Sequence, residues 1–311
     1  MKKQALLLFS LSFILVLSGC NTQDSNGKKN KDKLQVFTTV YPLKDFTDKI
    51  GGKYVEVETV YPPGTDEHSF EPSQKDIVNM ADSDLFFYVG HNLEGFVTKA
   101  KPILKQEGVH LTAVGEKIKL RHEDGHDDTH EDDGHHHGDV NPHLWLDPGY
   151  SKEIAEIITD KLIQQMPEQK KYFETNYHTL ENQLNDLDDK FKKSTENPRT
   201  NKIVVSHGAY DYWEERYGIE QISLTGLSAS SEPSQRQLEE IIKTAKANDI
   251  RYVIFEQNVS SKLTETIQKQ IGAKSLTLHN LSVLTEKDIK SGEDYFSLMN
   301  RNAETLKTAL H

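Results

Sequence analysis

Runs rich in apolar and β-branched residues alternate with helix-forming stretches on both sides of one long amphipathic segment, and this arrangement constrains the fold most. LQVFTTV (34–40), YVEVETV (54–60), DLFFYVG (84–90) and VHLTAV (109–114) read as strands, with helices expected after Pro42, Ser73 and Asn92. A second set, NKIVVS (201–206), IEQISL (219–224), IRYVIFE (250–256) and AKSLTLH (273–279), is interleaved with helices near 208–217, 234–247, 260–271 and 293–310. Strands that alternate with helices build mostly parallel sheets. The expected fold is therefore α/β, two lobes, each a mostly parallel sheet flanked by helices.

Between the two sets, Glu168 to Glu196 lies between Pro167 and Pro198 and carries Phe173, Tyr177, Leu180, Leu184, Leu187 and Phe191 at alternating spacings of four and three. That stripe suits a coiled coil or one unbroken helix packed across both lobes. At 1.5 Å per residue the helix is about 43 Å long, a rigid connector that restrains lobe motion. The expected organisation is residues 34–165 as the first lobe, 166–197 as the linking helix and 198–311 as the second lobe.

The amino terminus has a different character. Lys2 and Lys3 precede an apolar run, Ala5 to Leu17, too short to span a bilayer, which needs roughly 20 residues. Residues 1–19 read as a secretory signal and 20–33, polar and lysine-rich, as a flexible tether. Cys20 is the only cysteine, which excludes an intrachain disulfide. Leu17-Ser18-Gly19-Cys20 resembles the lipobox of bacterial lipoproteins, and that resemblance implies an acylated Cys20 holding the protein on the membrane's outer face. The formal charge of −12 disfavours nucleic acid and suits a cation ligand.

From His122 to His137 the chain carries six histidines (His122, His126, His130, His135, His136, His137) among seven acidic residues and no apolar side chain. Such a segment, within a loop at 121–139, cannot offset the entropy of folding. Its imidazoles and carboxylates suit an auxiliary collector of zinc. His122-Glu123-Asp124-Gly125-His126 matches the H-E-x-x-H pattern of zinc proteases, but Asp-Gly inside a segment without apolar periodicity opposes the helix that this motif needs. No G-x-S-x-G elbow or phosphate-binding glycine loop accompanies it.

Three isolated histidines are sharper candidates. His68 lies in PPGTDEHSFEPS, ahead of a helix opened by Ser73 and Asp76 in the pattern of a capping box. His143 lies in NPHLWLDP, between Pro142 and the expected cap Asp147, with Pro148 at the first helical position. His207 ends the strand IVVS, at the carboxyl edge where open α/β sheets place ligands. Each sits at a constrained element end, but separations of 75 and 64 residues do not establish proximity.

Over residues 35–310 the chain resembles the metal-specific substrate-binding lipoproteins, and most closely their zinc branch, the ZnuA and AdcA type. The resemblance rests on VFTTVYPLKDFTDKIGG, PPGTDEHSFEPSQKDIVNMADSDLFFYVG, NPHLWLDP, SHGAYDYWEERYGI and SASSEPSQRQLEEIIKTAKANDIRYVIFE, in that order. It implies two α/β lobes joined by one long helix. It also implies a Zn2+ ion held in the cleft by His68, His143 and His207 as transported ligand, and delivery to an ABC importer's membrane permease and cytoplasmic ATPase by a monomeric, non-enzymatic protein. Three neutral imidazoles favour zinc over manganese, which prefers oxygen donors; copper and nickel also suit such a set. Where many relatives place a carboxylate on the metal, LHNLSVLT puts Ser282, so the fourth position falls to water or to Glu67, with water favoured because Glu67 adjoins His68. The alternatives are a manganese-binding homologue, a metal-dependent adhesin, or a zinc hydrolase with Glu67 or Glu256 as base.

Overall fold

The structure is a computed structural model, and it describes residues 32–120, 140–227, 233–257 and 262–311. The signal segment, Cys20 and the six-histidine loop lie outside the described residues.

The first sheet is built from β1 (Leu34–Thr38), α1 (Tyr41–Gly51), β2 (Val55–Thr59), α2 (Gln74–Ala81), β3 (Leu85–Tyr88), α3 (Val97–Gln106) and β4 (His110–Ala113), in the order β2-β1-β3-β4. Next come α4 (Pro148–Gln165) and the long α5 (Lys170–Ser194). The second sheet uses β5 (Lys202–Val205), α6 (Asp211–Tyr217), β6 (Glu220–Ser223), α7 (Gln235–Ala247), β7 (Tyr252–Glu256), α8 (Lys262–Ile271) and β8 (Lys274–Leu278), in the order β6-β5-β7-β8, followed by α9 (Glu286–Lys290) and α10 (Tyr295–Leu310). Every pairing is parallel, so both lobes repeat one topology, as the alternating pattern predicts.

Local chemistry sets the helix starts. Pro42 occupies the first turn of α1. Ser73 and Asp76 form the predicted capping box on α2, and Asp147 caps α4 by accepting from the Gly149 and Tyr150 amides. α3 begins at Val97, later than Asn92 suggests. His91 and Asn92 have φ of 50° and 60°, and a left-handed pair makes a turn there.

α5 is unbroken, and at 25 residues it runs about 38 Å. Its apolar stripe faces inward: Phe173, Leu180, Leu184, Leu187 and Phe191 are buried in one core that also takes in residues of both sheets, α1, α4 and α10. The stripe is thus satisfied within the chain and needs no second helix of a coiled coil. A smaller cluster around Val204, Leu224, Val253 and Ile267 lines the outer side of the second sheet.

Both sheets reverse strand order at their centre, between β1 and β3 and between β5 and β7, and a parallel sheet offers a crevice at the carboxyl ends of such strands. The functional residues gather where these two carboxyl edges face each other.

Candidate metal centre

His68 is carried by the loop between β2 and α2. An Asx turn shapes the loop: Asp66 accepts from the His68 amide at 3.0 Å and from the Ser69 hydroxyl at 2.8 Å. The ring of Phe70 packs edge-on against Tyr61 at 5.2 Å and pins the segment to the lobe. His143 precedes the short turn Leu144–Leu146 and is fully buried beside Trp145. Trp145 Nε1 donates to the Asn280 carbonyl at 2.6 Å and ties this turn to the second lobe. His207 follows β5 and is 3% exposed.

These three rings converge. Their centroids are 5.3 Å (His68 to His143), 5.5 Å (His68 to His207) and 4.8 Å (His143 to His207) apart, and one nitrogen from each lies within 4.8 Å of the others. Among the described residues they form the one group of three or more histidine, cysteine or acidic side chains close enough to hold an ion. The Nε2 atoms of His68 and His143 are buried and have no hydrogen-bond partner among the described residues. A buried nitrogen without a partner is costly unless a ligand uses its lone pair. Zinc binds imidazole nitrogen at about 2.0–2.1 Å, so the three nitrogens draw closer together than in this arrangement when they share one ion.

The electrostatics divide the set. Burial, with the nearby His207 second, pushes His68 down to about 4, and burial holds His143 well below the usual imidazole range. Both are therefore neutral at pH 7, as ligation requires. Burial also opposes charge on His207, but Glu256 overrides it and the net shift is upward. His207 Nδ1 lies 2.9 Å from Glu256 Oε2 and Nε2 lies 2.8 Å from the Leu227 carbonyl. The backbone carbonyl can only accept, so Nε2 carries a proton in this arrangement, and the nearby carboxylate favours one on Nδ1 as well. To ligate, His207 releases the Nε2 proton and leaves Leu227, while Glu256 keeps Nδ1, a common device for orienting a metal-binding imidazole.

Glu67 is buried, and its Oε1 stands 4.0 Å from His68 Nε2. The neighbouring side chains therefore do turn the same way, contrary to the expectation from adjacency. Glu67 is nevertheless engaged elsewhere: Asn280 Nδ2 donates to it at 3.1 Å, and the same amide nitrogen also donates to Glu256. Burial, reinforced by the charge of Glu256, pushes Glu67 up to about 7. Ser282 is 1% exposed, and its hydroxyl donates to Asn280 Oδ1 at 2.9 Å. Glu256, nominated above as a hydrolytic base, is held by His207 and Asn280.

Asn141, Leu227, Glu256 and Asn280 surround the three histidines; sequence reasoning assigned Asn141, Leu227 and Asn280 no place there and named Glu256 only as a hydrolytic base, not as the partner of His207. Asn141 stands two residues before His143 in the NPH motif, which was the available signal. Asparagines in loops ordinarily read as turn formers, which hides such roles.

Residues 36–309 match the family described as ZnuA, zinc-uptake complex component A, periplasmic. The zinc-binding lipoprotein AdcA of Streptococcus pneumoniae strain R6 is 35% identical across 99% of this chain. This chain spans 61% of that relative's length. The high-affinity zinc uptake system protein ZnuA of Bacillus subtilis is 30% identical, across 99% of this chain and 98% of its own. Among solved structures, the Zn(II)-bound ZnuA-like domain of Streptococcus pneumoniae AdcA superposes with a TM-score of 0.75 at 32% identity, covering 89% of this chain and 99% of that one.

Proposed function

The chain belongs to the ZnuA family of zinc-uptake components, and from that premise we propose that it captures a zinc ion outside the membrane and hands it to the permease of an ABC importer. His68, His143 and His207 supply three imidazoles, and water fills the fourth position with Glu67 accepting a hydrogen bond from it. Zinc is cargo, and the protein is not an enzyme. The six histidines at 122–137 act as an auxiliary collector, and acylated Cys20 holds the chain at the membrane surface as a monomer. No described helix is long and apolar enough to cross a membrane.

One observation carries the reading: three imidazoles from separate elements offer one nitrogen each within 4.8 Å of the others, and two of the rings have a buried Nε2 without a hydrogen-bond partner among the described residues. Three nitrogen donors favour zinc over manganese. Elemental analysis of protein purified without added metal, followed by zinc–manganese competition, tests this. Zinc should co-purify and outcompete equimolar manganese; manganese retained in the presence of zinc would overturn the assignment.

A further inference from the structure

Asn141 is buried behind His143 and touches the surroundings of two of the three histidines. Its Oδ1 accepts from the His143 backbone amide at 3.0 Å and lies 2.7 Å from His143 Nδ1. Its Nδ2 donates to the Gly208 carbonyl at 3.0 Å and to Asp211 Oδ2 at 2.6 Å, and its backbone carbonyl accepts from the Tyr212 hydroxyl at 2.5 Å. The partners of Oδ1 and Nδ2 fix the amide orientation. Turned over, it would set its NH2 against a backbone N–H and its oxygen against two acceptors.

The consequence for His143 is chemical. An amide oxygen only accepts, so the proton of the neutral ring must sit on Nδ1, and the Nε2 lone pair is left facing the cleft. Gly208 immediately follows His207, and Asp211 opens α6, so the same side chain also ties the loop of His143 to the end of β5.

We propose that Asn141 is a positioning residue for metal capture: it holds His143 in its Nδ1–H tautomer and, through Gly208 and Asp211, sets the separation of His143 from His207. The inference rests on the zinc-binding reading above, but its tautomer half is read without metal.

The test uses the full chain, metal-free and 15N-histidine-labelled. Long-range proton–nitrogen correlation reports which nitrogen of each ring is protonated, and zinc affinity is measured by chelator competition. The native His143 ring should carry its proton on Nδ1. Asn141→Ala should populate both tautomers and weaken zinc binding by about 10–100-fold, the usual cost of losing a partner behind a metal ligand. Asn141→Asp keeps the acceptor oxygen beside His143 Nδ1 but sets its second oxygen against the Gly208 carbonyl and the Asp211 carboxylate, so it should restore the tautomer while zinc binding stays weakened by about 10-fold or more through the lost tie to the end of β5. An Nε2-protonated His143 in the native chain, or an Asn141→Ala variant with native affinity, would overturn the proposal. Should Asn141→Ala fail to fold, the native ring and Asn141→Asp still decide it. A native chain with the expected tautomer but no tight zinc binding would instead overturn the function and leave the tautomer assignment standing.

Discussion

His207 differs from the other two imidazoles in what it gives up to meet a cation. His68 and His143 are held neutral by burial, so protons compete with zinc mainly at His207, whose ring is raised through its link to Glu256. Because its pKa lies above the ordinary value, affinity falls as pH drops below that pKa, while His68, pushed down to about 4, and His143, held well below the usual range by burial, add little above pH 5. Between pH 6.5 and 5 the logarithm of affinity should fall by about one unit per pH unit, one proton released per ion. Ordinary imidazoles at all three positions would give a slope that rises from about 1.5 at pH 6.5 to nearly three at pH 5, and a chelator-competition series across that range separates the two. Glu67 is the second residue with a specific expectation. Because it meets Asn280 and leaves the fourth position to water, Glu67→Ala should weaken zinc binding less than tenfold, under about 1.4 kcal/mol, and alanine at His68, His143 or His207 should cost far more. Isothermal titration of the four variants with a competing chelator checks this, and a Glu67 effect equal to that of a histidine contradicts it. At this scale the three histidines were legible as polar residues at constrained element ends. Their convergence was not legible from spacing, since it depends on two sheets facing each other, and only the family resemblance implied it; Glu256 and Asn280 stand in RYVIFE and LHNLSVLT, where nothing marks them as partners of the histidines.

At the scale of elements, the start of α4 concentrates the most. Asp147 is fully buried, accepts from two helix amides, and pairs with Arg216 of α6 at 2.6 Å; Arg216 in turn lies 3.5 Å from Asp188 of α5. Gly149 has no side chain because a Cβ there would overlap the Arg216 guanidinium. One cluster thus sets the helix that follows His143, the connector and the second lobe. Asp147→Ala removes the cap and leaves Arg216 half-buried without its main partner. It should lower unfolding free energy by about 3–5 kcal/mol in metal-free urea titrations. A loss below about 1 kcal/mol would show the pair to be marginal, as surface pairs are. The element pattern was largely readable in the sequence. Strands came out shorter than their apolar runs because Val40 and Val89 are buried just beyond the last ladder residues, and hydropathy reports burial, not hydrogen bonding. The five-residue α9, capped by Thr285, escaped notice because it is too short for helical periodicity to show.

At the scale of the molecule, the two lobes share one core through α5, and charged ties such as Lys49 between Asp45 of α1 and Asp294 at the start of α10 add to it. A connector packed this way resists the wide opening of loop-hinged binding proteins. The three-histidine ligand set is seen alone only when the six histidines at 122–137 are removed. The decisive measurement is zinc X-ray absorption on a chain deleted from His122 to His137 and loaded with one equivalent of zinc. One tightly held ion with three imidazoles at about 2.0–2.1 Å and one oxygen donor is expected. Loss of tight binding, or a shell with fewer than three imidazoles, would contradict this ligand set.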